Sequence, residues 1–144
     1  MSTTVLVLDA NILIRAVLGN KVMDLLVKYH EAVEFFTPDV CVEDAKKYLP
    51  VVFEKRKLPS ESAGEALSKL ECLLQIVDNS IYQECAPEAQ KRIKKRDFYD
   101  WPVVATALTL NSPIWTEDRD FFGSGLPVWT TDRIHLFFES IKIP

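Results

Sequence analysis

Segments with the pattern of buried strands alternate with helical patterns along nearly the whole chain. The first strand, Thr4 to Leu8, leads directly into Asp9 and a helical segment. The sequence predicts strands at 4–8, 33–37, 74–77, 113–116 and 127–130, helices at 10–18, 20–30, 38–49, 60–75, 80–94, 100–110 and 131–140, and a helical turn at 118–122. This alternation predicts an α/β fold, with a parallel sheet covered by helices on both faces.

Glycine and proline supply the expected ends of several helices. Gly19 is expected to end the first helix, Pro38 to open the third in its first turn and Pro50 to end it. The length of 144 residues fits one domain, residues 1–144, with a core large enough to fold without disulfides or a structural metal.

Composition narrows the class of protein. A net charge of −4 argues against a generally basic nucleic-acid coat, although a local basic patch is compatible with it. Cys41, Cys72 and Cys85 are odd in number and widely spaced, so they indicate neither a disulfide framework nor a thiolate zinc site. There is no signal-peptide pattern and no membrane-spanning apolar run, so we expect a soluble, cytoplasmic protein without membrane partners.

Acidic residues recur where the predicted strands end or helices begin. They are Asp9, Glu43, Asp44, Asp97, Asp100, Asp118 and Asp120. Because the carboxyl ends of parallel strands open into one crevice, we expect these acids to share a pocket.

Each acid also has a structural explanation. Asp100 could be a plain N-cap, and the helix dipole favours Glu43 early in a helix. Asp9 and Asp118 could form turns by accepting hydrogen bonds from their own backbone. The joint pattern favours a functional cluster, because four acids at the ends of four elements converge whether or not each one also caps something.

Converging carboxylates repel one another unless a cation compensates their charge. Ligands that are all carboxylate oxygens favour a hard ion, Mg²⁺ or Mn²⁺, over zinc. Such a site suits phosphoryl chemistry, in which the ion lowers the pKa of a bound water and stabilises the entering and leaving oxygens.

Four blocks of the chain resemble PIN domains, the Mg²⁺- or Mn²⁺-dependent ribonucleases that include the VapC toxins. The blocks are residues 5–13, 37–43, 100–108 and 114–121. The resemblance implies a three-layer α/β/α sandwich around a parallel sheet of about five strands. It also implies that Asp9, Glu43, Asp100 and Asp118 are the catalytic, metal-binding acids, and that Asn11 and Thr116 steady them through hydrogen bonds.

Three further acids surround this set. Glu43 and Asp44 are adjacent and point about 100° apart on a helix, so only one of them can face the pocket. Glu43 is preferred for its distance from Pro38 and its longer reach, with Asp44 as the alternative. Asp97 and Asp120 are placed around the metal-binding acids. For Asp120, contact with a second ion and a role in capping the next turn both stay open.

A basic run precedes Asp97. Five of its six residues are basic: Lys91, Arg92, Lys94, Lys95 and Arg96. These side chains could form a solvated helix face, or they could contact RNA phosphates away from the scissile bond.

The function that the resemblance implies is hydrolysis of single-stranded or structured RNA to 5′-phosphate and 3′-hydroxyl ends. Such a protein could be a toxin that binds a small antitoxin, and could form a homodimer. A haloacid-dehalogenase-type phosphatase is disfavoured because Asn11 stands where that mechanism needs a second acid. A response-regulator receiver would need an acidic pair after the first strand, which this chain lacks. A catalytically silent PIN-like module that binds RNA or protein would have lost one of the four acids, and all four are present here.

Overall fold

Five strands form one parallel sheet with the order β3-β2-β1-β4-β5 in the computed structural model. The structure describes residues 4–93 and 98–141. The strands are β1 (Thr4–Leu8), β2 (Val33–Pro38), β3 (Leu74–Val77), β4 (Ile114–Trp115) and β5 (Val128–Trp129). The predicted α/β/α architecture with a five-stranded parallel sheet is confirmed.

Helices connect these strands. Those of the described residues are α1 (Ala10–Leu18), α2 (Lys21–Tyr29), α3 (Asp39–Lys55), α4 (Glu61–Glu71), α5 (Asn79–Tyr82), α6 (Ala86–Ile93), α7 (Trp101–Leu110) and α8 (Ile134–Glu139). Short 3-10 turns lie at Gln83–Cys85, Phe98–Asp100 and Arg119–Phe121. No helix within this described part combines the length and the apolar character needed to cross a membrane.

The chain reverses direction across the sheet at β1. From β1 it moves outward through β2 to β3, and it then crosses back to add β4 and β5 on the other side of β1. Right-handed crossovers therefore place α1 to α4 on one face and α5 to α7 on the other. In sheets of this kind, ligands bind beyond the carboxyl ends of the strands at the point of reversal, which here lies between β1 and β4.

The core lies on both faces of β1 and β4. Leu6, Val7, Leu8 and Trp115 are fully buried, and α7 packs against β1 with an almost wholly buried sequence from Pro102 to Ala107. Continuous apolar sequence of this kind is what a strand or helix needs when it is covered on every side. The apolar runs thus fix the central strands rigidly behind the site.

The expectation that Pro50 ends the third helix is wrong. Helix α3 continues through Pro50 to Lys55. Leu49 and Phe53 are four residues apart on the same side of the helix and both are buried. Burial of these side chains outweighs the single backbone hydrogen bond that proline removes.

The predicted helix at 80–94 is also wrong as one element. Asp78 caps α5 by accepting a hydrogen bond from the Ser80 amide at 2.9 Å. The chain then passes through the 3-10 turn Gln83–Cys85 into α6, which begins at Ala86 and has Pro87 in its first turn. Proline at that position favours a new helix start over an uninterrupted helix.

Candidate metal centre at the carboxyl edge of the sheet

The ends of β1 and β4 lie side by side. Leu8 pairs with Trp115 in the sheet register, so the next residues, Asp9 and Thr116, lie at the same level. The Thr116 hydroxyl donates a hydrogen bond to Asp9 Oδ2 and accepts one from the Asp118 amide at 2.9 Å. One buried hydroxyl therefore connects the acids that follow the two central strands.

Asp9 also serves the backbone. It is the N-cap of α1, and its Oδ1 accepts a hydrogen bond from the Ile12 amide at 3.1 Å. Burial raises the pKa of Asp9 to about 6, and the nearby carboxylates of Asp118 and Glu117 contribute in the same direction, against the hydrogen bonds from Thr116 and Ile12. Ionising Asp9 in this buried, acidic site is therefore unfavourable, and a bound cation would stabilise its charged form.

Three further carboxylates converge beside it. One oxygen from each of Asp100, Asp118 and Asp120 lies within 4.8 Å of the others. Asp118 Oδ1 accepts a hydrogen bond from the Asp120 amide at 2.8 Å, which folds the loop after β4 back on itself. Asp100 occupies the N-cap position of α7, but its side chain makes no capping hydrogen bond. Capping therefore explains part of the role of the Asp9 and Asp118 carboxylates, but it does not explain the position of the Asp100 carboxylate.

Asp9, Asp100 and Asp118 face a cleft of about 270 Å³. Its walls come from the ends of β1 and β4 and from the first turns of α1, α3 and α7, and they include Asp9, Asn11, Cys41, Asp44, Tyr99, Asp100, Glu117 and Asp118. The donors are predominantly carboxylate oxygens. Burial raises the pKa of the Cys41 thiol, as does the nearby Asp9, so this cysteine remains a neutral thiol in the cleft wall. A donor set of this kind fits Mg²⁺ or Mn²⁺ and does not fit a thiolate-bound zinc.

The second acid lies differently from the preferred expectation. Both Glu43 and Asp44 are exposed, but Asp44 lines the cleft and Glu43 is not among the residues that line it. Val40, Cys41 and Asp44 share one side of α3, which is the i, i+1, i+4 spacing of a helical face. The direction in which this face of α3 packs, which the structure supplies, distinguishes the two acids.

The start of α3 is held by Asp39. Its Oδ1 accepts hydrogen bonds from the Val40 amide at 2.8 Å and the Tyr82 hydroxyl at 2.6 Å, and its Oδ2 accepts one from the Asn79 amide at 3.1 Å. The Tyr82 ring packs edge-on against Trp101 with 5.8 Å between centroids. This chain of contacts joins the helix that bears Asp44 to the helix that begins after Asp100.

The other expected site residues are placed less uniformly. Asn11 lines the cleft, and its Oδ1 accepts a hydrogen bond from Arg15 Nε at 3.2 Å. Asp97 lies outside the described residues. Two residues that the sequence reasoning did not assign, Glu117 and Tyr99, also line the cleft. Glu117 directly follows Thr116 and precedes Asp118, so strand-end position was the available signal for it.

The basic run is described only in its first part. Lys91 is exposed on the last turn of α6. Arg92 is engaged within the protein, because its Nε donates to Glu88 at 3.0 Å and its Nη1 donates to the Ser124 carbonyl at 2.8 Å. Lys94, Lys95 and Arg96 lie outside the described residues.

Comparisons with known proteins agree with this architecture. The sequence pattern of the PIN domain matches residues 7–139, and no curated protein matches the chain significantly. PAE2754 from Pyrobaculum aerophilum is a similar solved structure, with a TM-score of 0.71, 15% identity and coverage of 96% of this chain and 91% of that one.

Two further solved structures have the same fold. VapBC2 from Rickettsia felis bound to a promoter DNA fragment has a TM-score of 0.70 at 12% identity, covering 88% of this chain and 98% of that one. A toxin–antitoxin complex from Klebsiella pneumoniae has a TM-score of 0.60 at 20% identity, covering 87% and 96%. With the family pattern spanning β1 to α8, this chain belongs to the PIN domain family.

Proposed function

We propose that this PIN domain is a divalent-metal-dependent ribonuclease that hydrolyses RNA phosphodiester bonds, a function that the family resemblance implies. The observation that carries the proposal is the convergence of carboxylates at the switch point of the sheet. Asp9, Asp100 and Asp118 line one open cleft, and a carboxylate oxygen of Asp120 lies within 4.8 Å of those of Asp100 and Asp118. Hydrogen bonds from the backbone account for part of the roles of Asp9 and Asp118 but leave the negative charge of the neighbouring acids uncompensated, and a hard cation is the simplest compensation for it.

The residues of the cleft have distinct tasks in this proposal. Asp9, Asp100 and Asp118 hold the metal, and Asp120 and Asp44 complete the set, with Asp44 taking the place first given to Glu43. Thr116 fixes the orientation of Asp9 through its hydroxyl. When bound, a divalent cation supplies positive charge for the phosphodiester and lowers the pKa of a water nucleophile.

The cleft also has to accept a polyanion. Tyr99, which is 87% exposed, lies at its wall next to Asp100. An aromatic ring in this position can stack on a nucleobase. Lys91 and the basic residues that follow α6 in the sequence remain proposed phosphate contacts, whereas Arg92 is not among them because its guanidinium holds the 123–126 turn.

The direct test is cleavage of single-stranded RNA by the purified chain in the presence of Mn²⁺ or Mg²⁺. We expect products with 5′-phosphate and 3′-hydroxyl ends, no cleavage in EDTA, and a loss of roughly two orders of magnitude in rate for Asp100→Asn and Asp118→Asn. Cleavage that persists in EDTA or in both variants would overturn the proposal. Uncleaved RNA that nonetheless binds would favour the silent binding module.

A pair of variants tests the assignment within α3. Asp44→Asn should lower the cleavage rate far more than Glu43→Gln, because only Asp44 lines the cleft. The two substitutions remove the same charge from neighbouring positions, so the exposed Glu43 is a matched control. A larger loss for Glu43→Gln would reverse the assignment.

We also propose a toxin role with a small antitoxin as partner, in a cytoplasmic protein. The support is that a structure with this fold is described as a toxin–antitoxin complex. The proposal predicts that the chain isolated from its host carries a small protein that inhibits cleavage, and isolation as an uninhibited enzyme would contradict it. The molar mass in solution, measured by light scattering, tests the expected homodimer.

A further inference from the structure

A second pocket lies where the end of α1, the start of α2 and the end of α3 meet. It has a volume of about 390 Å³, and three of the side chains that line it are cationic: Arg15, Lys21 and Arg56. No carboxylate is among the described residues that line it. We call it the basic pocket and define it by these three cations.

The pocket lies in a locally positive part of an acidic protein. The net charge of the whole chain is −4. The segments that form the pocket, residues 15–24, 54–57 and 131–133, carry six basic and three acidic side chains, a surplus of three positive charges. A surface of this sign attracts a polyanion that the rest of the protein repels.

The acids of these segments do not neutralise the pocket. They are Asp24, Glu54 and Asp132, all three are exposed, and none of them lines it. In the described part of the chain, none of them forms an ion pair with a cation of the pocket. Asp132 instead accepts a hydrogen bond from the Thr130 hydroxyl.

The three cations are accessible to a ligand. Arg15, Lys21 and Arg56 are all exposed. The hydrogen bond that Arg15 Nε donates goes to the neutral side-chain amide of Asn11, so it uses one of the five guanidinium N–H donors and leaves the positive charge unbalanced. Helix α2 begins at the pocket wall, and the positive end of its dipole adds to the attraction for an anion.

Helix α1 connects the basic pocket to the acidic cleft. Asn11 lines the cleft and Arg15 lines the pocket, and the two side chains are hydrogen-bonded at 3.2 Å. Four residues of helix rise about 6 Å, so the pocket begins one turn of α1 from the cleft. An anion that contacts both sites must carry charge at intervals along its length, as the phosphates of a polynucleotide do.

We propose that the basic pocket binds phosphates of the RNA strand that flank the bond cleaved in the metal centre. The inference rests on the proposed function and deepens it by naming the surface from which substrate affinity arises. Carboxylates that repel RNA surround the metal site, and positive charge one helical turn away holds the strand against them. Contacts of this kind set the position of the strand and carry no sequence preference.

The first test is binding of a fluorescein-labelled 12-nucleotide single-stranded RNA of mixed sequence to the full chain in EDTA, followed by anisotropy. Lys21→Gln combined with Arg56→Gln should weaken binding about tenfold or more. The slope of log affinity against log salt should fall by about 1.4, the value for two lost phosphate contacts on a single strand. Arg15 is left intact in this variant because its partner Asn11 lines the cleft.

Lys21→Gln and Lys69→Gln form a matched pair, since both remove one exposed lysine. Lys69 lies near the end of α4, where Glu71 is 3.9 Å from Lys46 of α3. It therefore lies at the opposite end of the α3–α4 pair from Arg56. Lys69→Gln should bind within about twofold of the wild type, and Lys21→Gln should bind about threefold or more weakly, as expected for one lost phosphate contact. Circular dichroism checks that each variant is folded.

The second test separates strand binding from the chemical step. In Mn²⁺, the Lys21 and Arg56 double variant should raise KM for the 12-nucleotide RNA about tenfold and leave kcat within about twofold, the result for a contact made equally in ground and transition states. A dinucleoside monophosphate contains only the scissile phosphate. The wild type and the double variant should therefore cleave it equally well.

The proposal is overturned if Lys21→Gln binds the RNA like Lys69→Gln, or if the double variant cleaves the dinucleoside monophosphate as poorly as it cleaves the longer RNA. A glutamate peptide of equal charge that competes for the pocket as well as RNA would also overturn it, by assigning the pocket to an acidic protein segment.

Failure of this proposal is separable from failure of the proposed function. RNA that the double variant binds and cleaves like the wild type removes the basic pocket and leaves the ribonuclease. RNA that binds with the expected dependence on Lys21 and Arg56 and is never cleaved removes the ribonuclease and leaves the pocket as an RNA-binding site.

Discussion

Thr116 determines how the carboxylates at two neighbouring strand ends are held. Its side chain is fully buried, and its one hydroxyl donates to Asp9 and accepts from the Asp118 amide. The proton of that hydroxyl is directed at Asp9, so it favours the charged form of an acid that burial otherwise disfavours. At the residue scale, the site is therefore a balance between repulsion among acids and a few hydrogen bonds that keep Asp9 ready to ionise.

Replacing Asp9 by asparagine should stabilise the metal-free protein at neutral pH. The pKa of Asp9 is about 6 in the folded chain and 3.8 ordinarily, so folding favours the protonated form. The contribution of Asp9 to stability is then fully present below pH 4 and is lost as pH rises through 6. At pH 8, Asp9→Asn should raise the free energy of unfolding by roughly 1 to 3 kcal/mol.

Urea denaturation in EDTA at a series of pH values measures this difference. Asparagine can still cap α1, so the cap contributes little to the comparison. The advantage of the variant should disappear towards pH 4. A variant that is less stable than the wild type at pH 8 would show that Asp9 acts mainly as a structural cap.

At the scale of elements, helix starts place the acids. Asp39 and Tyr82 clamp α3 to α5, and Tyr82 in turn supports α7 through Trp101. These contacts thus tie together the helices that position Asp44 and Asp100. Displacing one helix start would move the carboxylates relative to one another.

Tyr82→Phe should lower the free energy of unfolding by about 1 to 2 kcal/mol, because a partly buried carboxylate oxygen of Asp39 loses a hydrogen-bond donor. Thermal or urea denaturation measures the change. Tyr48→Phe is the control, since Tyr48 is 53% exposed on α3 and should leave stability unchanged. Equal stability for both variants would mean that the clamp does not hold α3.

The turn between the 3-10 segment after β4 and strand β5 has a similar dependence on one position. Gly125 has a φ of +85°, and a Cβ added there would lie 2.6 Å from Arg92 Nη1, which holds the Ser124 carbonyl. Gly125→Ala should therefore destabilise the protein by about 1 to 3 kcal/mol.

Gly64→Ala provides the contrast. Gly64 lies within α4, and an added Cβ would meet nothing within 4 Å. The same chemical change should stabilise the protein by about 0.5 to 1 kcal/mol. Melting temperatures of the two variants should move in opposite directions, and a shift of the same sign would contradict the conformational account of Gly125.

At the scale of the whole molecule, the sequence predicted the elements that bury continuous apolar runs. Strand β1, helix α1 and strand β3 have the expected bounds because apolar patterning and caps agree there. The end of α3 was predicted wrongly at Pro50, because the burial of Leu49 and Phe53 outweighs the local helix-breaking effect of proline. That burial is a tertiary effect, which the local sequence does not contain. The choice between Glu43 and Asp44 likewise required the direction in which α3 packs, and adjacent residues of one charge carry no sequence signal for it.

The fold brings these acids together through its strand order. Asp9 and Asp118 are over 100 residues apart, yet they follow neighbouring strands, and α7 crosses β1 to add Asp100. A chain that reverses at β1 necessarily leaves a crevice between β1 and β4. The architecture thus explains why the cluster forms where it does.

Calorimetric titration of the metal-free chain with Mn²⁺, compared with Asp100→Asn and Asp118→Asn, measures whether the carboxylate cluster binds a hard cation. We expect saturable binding by the wild type, a loss of at least about tenfold in affinity in each variant, and a Mn²⁺-dependent rise in melting temperature that the variants lack. Absence of saturable binding by the wild type, or equal affinity in wild type and variants, would contradict this expectation.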